Sequence, residues 1–296
     1  MPDYVTQGVT GKVKAHMMCY ADDSALYASS KCIDLLLLEL VRMSDRMLAY
    51  CNKVSLVINS DKTQMLVSGF KNKEFSIKVG NSKVHPSKEL NLLGVTYDSN
   101  FSTVTYLRQL ASDAKTRASI ISRLSYSVPP HLLKTFTNGL LVGKIMVAAP
   151  AVIPFRINCE DKGANVLTEK INCAIKSVAR TITHVRLTDK IRSDIVLKKA
   201  GLKSLNEMVA TAAATMIWKS KMIMDPLAKL LFPEQTTNIC TRSESSNKAK
   251  LLVPGSSTLA ANLLARAWNE SPILQSASTI GAAKLASINW ARSLQI

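Results

Sequence analysis

The segment Cys19–Tyr27, CYADDSALY, sets two aspartates side by side between short apolar runs. Each charge in such a pair disfavours ionisation of the other, so the pair is either screened by water or neutralised by a cation. Hard divalent cations prefer oxygen ligands. Two of them about 3.5–4 Å apart can stabilise both the attacking and the leaving oxygen of a phosphoryl transfer. Asp22 and Asp23, held at a rigid hairpin tip, have the chemistry for that task.

A second group of residues points to a polyanion. The formal net charge is +17, and it is unevenly spread. Residues 1–100 carry 12 Lys+Arg against 10 Asp+Glu, residues 101–232 carry 20 against 8, and residues 233–296 carry 6 against 3. The middle segment therefore holds an excess of 12. Within it, Arg108, Lys115, Arg117 and Arg123 follow one another at near-helical spacing. Those steps place Arg108, Lys115 and Arg123 toward one helix face and Arg117 toward a flank. Phosphate backbones are the commonest partner of such a surface, and a merely solvated basic face is the alternative.

These residues need elements to hold them. Lys12–Met18 reads as extended, Ala21-Asp22-Asp23 as a tight turn and Ser24–Ser30 as a returning strand, which makes a hairpin with carboxylates at its tip. Ser30 then caps a predicted helix whose core stripe is Ile33, Leu37, Leu40, Met47 and Cys51. Short strands are expected at 55–58, 63–69, 75–84 and 90–98, with Gly80-Asn81 as a hairpin turn. Beyond about residue 103 the periodicity becomes helical, over 103–125, 130–148, 162–183, 188–200 and 204–224, punctuated by Pro129-Pro130, Pro150 and Pro154. The polar stretch 236–250 reads as a linker, and helical spacing resumes from Ser256. The fold class expected is α+β.

A chain of 296 residues with 47% hydrophobic content can build one large core or two ordinary ones. Its longest apolar stretch, Gly139–Phe155, is broken by Lys144, Pro150 and Pro154, so no membrane span and no membrane partner is expected. The first dozen residues are polar and lack a secretory pattern, which predicts a soluble intracellular protein. The six cysteines form no C-x-x-C pair, so the thiols are expected to pack as small hydrophobes in a reducing compartment.

The order HMMCYADDSALYASS, amphipathic helix, INSDKTQML, hairpin, LNLLGVTYDSN resembles the reverse transcriptases of non-LTR retrotransposons of the LINE type, the jockey-like ones in particular. The resemblance is specific over residues 13–98 and weaker afterwards. It implies that Tyr20-Ala21-Asp22-Asp23 is the catalytic palm hairpin, with Asp22 as the principal ligand of Mg²⁺ or Mn²⁺ and Asp23 in support. It further implies that Lys62 protonates the departing pyrophosphate, with Asn59 and Thr63 matching its flanks. A cation beside a leaving polyphosphate lowers the charge that must develop there. By the same resemblance Leu92–Val95, and so Leu93, Gly94 and Val95, match the loop that holds the primer end, although an aromatic is usual where Leu92 stands. The basic helices would be the thumb, gripping an RNA template in an RNA–DNA or DNA duplex through its phosphates. ARAWNESP at Ala265–Pro272 resembles the R-x-W-N-x-x-P element of such polyproteins, and it also reads as a tryptophan anchoring a helix.

The resemblance also implies an absence. The family carries a further metal-binding aspartate on a palm strand well before the hairpin, yet only 19 residues precede Tyr20, and Asp3 resembles a later loop. The sequence thus reads as a C-terminal fragment without fingers or first palm strand, with an incomplete metal site and no activity of its own. It would be partnered by the missing N-terminal half, or be a non-catalytic basic nucleic-acid-binding remnant. The expected layout is a partial palm over 1–100, thumb-like helices over 101–157, a helical region over 158–235, a linker over 236–255 and a helical tail over 256–296. A half-palm would also leave a sheet face and edge uncovered.

Overall fold

A computed structural model of the chain describes residues 13–69, 75–100, 102–153, 162–223 and 259–294. The architecture is α+β, with small antiparallel sheets followed by a predominantly helical region. The chain divides into two compact units, Met1–Tyr106 and Leu107–Ile296. The expected linker at 236–255 and Asp3 lie outside the described residues.

In the first unit, β1 (Lys14–Tyr20) and β2 (Asp23–Ser29) pair antiparallel from Lys14 opposite Ser29 to Tyr20 opposite Asp23. Side chains alternate between the two faces of such a ladder. Ala15, Met17, Leu26 and Ala28 are half-buried on one face, while His16, Met18, Tyr20 and Tyr27 are exposed on the other. Helix α1 (Ile33–Lys53) packs on β2 and on β3 (Ile77–Val79). Because it serves both strands, its buried strip is Ile33, Leu36, Glu39, Met43, Ser44 and Cys51. The predicted Leu37, Leu40 and Met47 are only half-buried.

Ser30 does not cap α1 as expected. The N-cap is Cys32, and the Ser30 hydroxyl instead accepts the Cys32 N–H at 3.2 Å. The strand expected at 55–58 is also not formed. Ser55 turns left-handed at φ 59°, and the N–H groups of Ser55 and Leu56 bond back to the carbonyls of Asn52 and Cys51. This closing motif of a helix spends the donors that a strand would have needed. The stretch 63–69 contributes one bridge, Met65 with Pro86, rather than a strand.

β3 pairs with β4 (Ser82–Val84) around Gly80, whose φ of 60° suits glycine at the first position of the turn. Met65, Val79 and Val84 form a small core, with Leu48, Val67, Phe75 and Ile77 packed against it. β5 (Glu89–Leu92) pairs with β6 (Val95–Asp98) through the two-residue turn Leu93-Gly94. Among the described residues, the three ladders are separate two-stranded sheets.

The helical region follows the predicted periodicity, except that the helix expected over 188–200 begins only at Ser193, after a 3-10 turn at Leu187–Asp189. It comprises α2 (Val104–Leu124), α3 (Pro130–Phe136), α4 (Gly143–Met146), α5 (Ala149–Val152), α6 (Lys162–Thr183), α7 (Ser193–Ala200) and α8 (Leu205–Ile223), then α9 (Leu259–Glu270), α10 (Pro272–Ser276) and α11 (Ile280–Ser293). Between α3 and α4 the helical run widens into a π turn over Thr137–Val142. In the second unit, α8 is central, touching α5, α6, α9 and α11. Its fully buried Ala210, Ala213 and Ala214 present little bulk, which lets neighbouring helices approach closely. The Trp218 indole N–H donates to the Ala277 carbonyl at 2.9 Å, and Thr215 meets Ser287 across α8 and α11. No helix among the described residues is long and apolar enough to cross a membrane.

Candidate functional site

The tip of the β1–β2 hairpin is a two-residue turn of Ala21 and Asp22, closed by the Tyr20–Asp23 pair. Ala21 adopts φ 52°, a left-handed conformation costing a non-glycine residue roughly 1 kcal/mol. Asp22 and Asp23 are exposed, and neither carboxylate takes part in an ion pair or side-chain hydrogen bond among the described residues. Both remain free to ligate.

No group of three or more His, Cys, Asp or Glu is assembled among the described residues. The donor chemistry nevertheless fits a magnesium-like ion, which is commonly held by one or two carboxylates with substrate phosphates and water completing its shell. On the exposed face of the same hairpin, the rings of His16 and Tyr27 stack with centroids 5.1 Å apart. Tyr20 and Asp23 lie on that face too, since residues directly opposite share a face.

Lys62 ends a single 3-10 turn, Ser60–Lys62. The Asn59 side-chain oxygen accepts the N–H groups of Asp61 and Lys62 at 3.1 and 3.2 Å, and the Thr63 hydroxyl donates to the Asn59 carbonyl at 3.0 Å. The residues flanking Lys62 thus fold its loop, leaving the lysine exposed. Gln64 links this loop onward: its side-chain oxygen accepts the Asn91 N–H of β5 at 3.2 Å. Ser87 donates twice to the Met65 carbonyl, through N–H at 2.8 Å and hydroxyl at 3.0 Å. The Lys62 loop and the β5–β6 hairpin are therefore hydrogen-bonded neighbours.

At the end of that hairpin, Leu93 and Gly94 have φ of 51° and 78°. Two successive positive values define the turn that usually carries Asn-Gly, so an exposed leucine there is unusual. Val95 is buried. In β6, burial raises the Tyr97 phenol above its ordinary value of 10.0.

On α2, Arg108, Lys115 and Arg123 are exposed, as a phosphate-facing surface requires. Arg117 points elsewhere and donates to the Leu140 carbonyl at 2.9 Å, inside the π turn. A groove of about 300 Å³ beside it is lined by Asp113, Thr116, Arg117, Ile120 and Leu140.

The R-x-W-N-x-x-P element spans the end of α9 and the start of α10. Trp268 is buried, with the Lys221 ammonium 4.8 Å from its ring centroid. Arg266 pairs with Glu270 at 2.7 Å, and Ser271 caps α10 with Pro272 in its first turn.

Two features carried no readable signal in the sequence. Glu39 is buried on α1, and its Oε1 has no hydrogen-bond partner among the described residues; as a carboxylate it reads by type as an exposed position. The Lys134 amine of α3 comes to lie over Gly201 at the C-terminal end of α7, a meeting that only tertiary structure reveals. Compared with protein-family models, curated proteins and solved structures, the chain matches none.

Proposed function

We propose that the chain is the palm-and-thumb part of an RNA-directed DNA polymerase of the non-LTR retrotransposon type. The observation that carries this reading is the hairpin itself. Two unencumbered carboxylates stand at the tip of an antiparallel pair, in a turn whose Ala21 is held left-handed. Strained turns of this kind persist where the surrounding structure fixes them, often at functional sites.

In this reading Asp22 and Asp23 bind the ion, which when bound supplies electrostatic stabilisation for nucleotidyl transfer. Lys62 faces the leaving group as an acid, on a loop pinned by Asn59. Leu93-Gly94-Val95 meets the primer end, and the α2 face carrying Arg108 and Lys115 meets duplex phosphates. The linkage of the Lys62 loop to β5 through Gln64 supports the idea that the acid and the primer-holding turn act as one body.

The test is primer extension on an RNA template with Mg²⁺, using this chain joined to a longer upstream segment of the same reading frame. Template-dependent synthesis that vanishes in Asp22→Ala supports the reading. Synthesis indifferent to Asp22 and Asp23 overturns it. A non-catalytic nucleic-acid-binding role is the second reading, favoured by the exposed cations of α2. Duplex binding without any synthesis by the extended chain would single it out.

A further inference from the structure

We propose that the connector from His184 to Arg192, with the C-terminal end of α7, is a second phosphate-binding surface, separate from the α2 face, and that it holds single-stranded RNA. This rests on the nucleic-acid reading above. Residues 184–203 contain six Lys+Arg, namely Arg186, Lys190, Arg192, Lys198, Lys199 and Lys203, against Asp189 and Asp194.

Both aspartates are already committed. Asp189 accepts the Arg186 N–H at 2.7 Å, and Asp194 pairs with Arg192 at 3.1 Å. Lys190, Lys198 and Lys199 are exposed and take part in no ion pair among the described residues. A helix C-terminus attracts cations through its dipole, which accounts for Lys198 and Lys199. It accounts equally for the Lys134 ammonium of α3, which lies over the C-cap Gly201, but not for Arg186 or Lys190, which lie before α7. The Lys134 amine lies so close over Gly201 that any β-carbon there would collide with it. A cation from a distant helix is thereby brought to the same end of α7.

The connector is also held in shape. The Arg180 guanidinium donates to the carbonyls of Arg186 at 3.3 Å and Ile191 at 3.0 Å, spanning the loop from beneath. His184 and Lys190 both sit at positive φ, 54° and 50°, without being glycine. Backbone strain of this kind costs on the order of 1 kcal/mol per residue and persists only where the surroundings over-determine it. A loop fixed before binding loses little freedom on binding, so more of the phosphate attraction appears as affinity.

Between the cations, Leu187 and Ile195 are more than half exposed and Ile191 partly so. Single-stranded RNA leaves its bases unstacked and able to stack on a guanidinium plane, as those of a duplex are not, and exposed Arg186 offers such a plane beside this apolar surface. An anionic membrane would meet the same charges, yet inserting Leu187 and Ile195 would draw Asp189 and the Arg192–Asp194 pair into the interface. RNA is therefore the better fit.

The experiment uses the full chain and fluorescein-labelled oligouridylate, titrated across a range of salt. One variant combines Lys190→Gln, Lys198→Gln and Lys199→Gln. A control of equal charge change combines Lys170→Gln, Lys219→Gln and Lys284→Gln, all exposed on α6, α8 and α11. The expected result is that the first variant loses roughly tenfold or more in affinity and its plot of log K against log salt becomes shallower by about 2, while the control changes little. Equal losses in both variants would overturn the assignment and leave the nucleic-acid reading standing. Loss of binding to phosphatidylserine vesicles, with RNA binding unchanged, would overturn it in favour of a membrane. Absence of RNA and duplex binding by the wild-type chain at low salt would overturn this inference together with the reading beneath it.

Discussion

The Arg117 guanidinium donates to the carbonyl oxygen of Leu140 at 2.9 Å, joining α2 to the π turn that separates α3 from α4. A π turn breaks the regular ladder of backbone hydrogen bonds, and a charged donor is well suited to satisfy a carbonyl there. Arg117 therefore belongs to the scaffold, while Arg108 and Lys115, a near-integral number of turns apart, belong to the solvent face.

This division separates two variants that a charge count would treat alike. Arg108→Ala with Lys115→Ala should make the salt dependence of RNA–DNA duplex binding shallower by about two in log–log slope, with thermal stability nearly unchanged. Arg117→Ala should lower stability by roughly 1–2 kcal/mol and leave the slope close to that of the wild type. Filter binding at several salt concentrations, beside chemical denaturation, checks both. A large change of slope in Arg117→Ala would place that side chain on the nucleic acid after all.

The catalytic assignment predicts unequal effects at the hairpin and at the Lys62 loop. If a chain extended at its N-terminus synthesises DNA, Asp22→Ala should abolish extension, because a ligand assembles the site. Lys62→Ala should only slow it, since a general acid contributes typically about 10²- to 10⁴-fold. The chain alone should not extend a primer with Mg²⁺ or Mn²⁺, because Asp22 and Asp23 provide only part of a two-metal ligand set. Single-turnover kinetics distinguish the cases, and equal mild effects at both positions would show the hairpin misassigned.

How much of this could be read from the sequence depends on the range of the forces involved. The β1–β2 hairpin, the Gly80 turn and the long helices were legible, because alternation, turn residues and 3.6-residue periodicity are local. The strand expected at 55–58 was not, because Val57 and Ile58 read as β-formers while the N–H groups of Val54, Ser55 and Leu56 close the preceding helix. The α1 stripe was read only in part: a helix that packs on two strands buries a wider face than one stripe predicts. In the candidate site, Asp22 and Asp23 stand out as an adjacent carboxylate pair at a turn, whereas Lys62 is singled out only by the resemblance of its NSDKT segment. The bond from Arg117 to Leu140, the burial of Glu39 and the meeting of Lys134 with the end of α7 depend on tertiary packing, which no local pattern encodes.

Leu93 offers a test of strain against use. With φ positive at both Leu93 and Gly94 and the leucine half exposed, Leu93→Asn should relieve backbone strain with little loss of packing. A gain of about 0.5–1 kcal/mol is expected in the stability of the first unit. If the turn holds a primer end, the same change should weaken primer–template binding by the extended chain. Greater stability with undiminished binding would remove Leu93 from the proposed site.

The junction of α9 and α10 provides the last prediction and an internal reporter for it. The three tryptophans, Trp218, Trp268 and Trp290, all lie in the second unit, so intrinsic fluorescence follows the unfolding of that unit. Trp268 is buried, while the Trp290 indole N–H donates to Glu270 at 3.3 Å, within the ion pair that Glu270 makes with Arg266. Trp268→Ala should destabilise the second unit by about 3–5 kcal/mol, the usual cost of emptying a large aromatic site. Met65→Ala, in the small core of the first unit, should leave the transition monitored through tryptophan unmoved while lowering the stability of the β3–β4 region. Denaturant titrations followed in parallel by tryptophan fluorescence and by hydrogen exchange at Val79 and Val84 separate the two. A fluorescence transition that shifts with Met65→Ala would mean that the units unfold as one, and a silent Trp268→Ala would count against the tryptophan of the R-x-W-N-x-x-P element as a helix anchor.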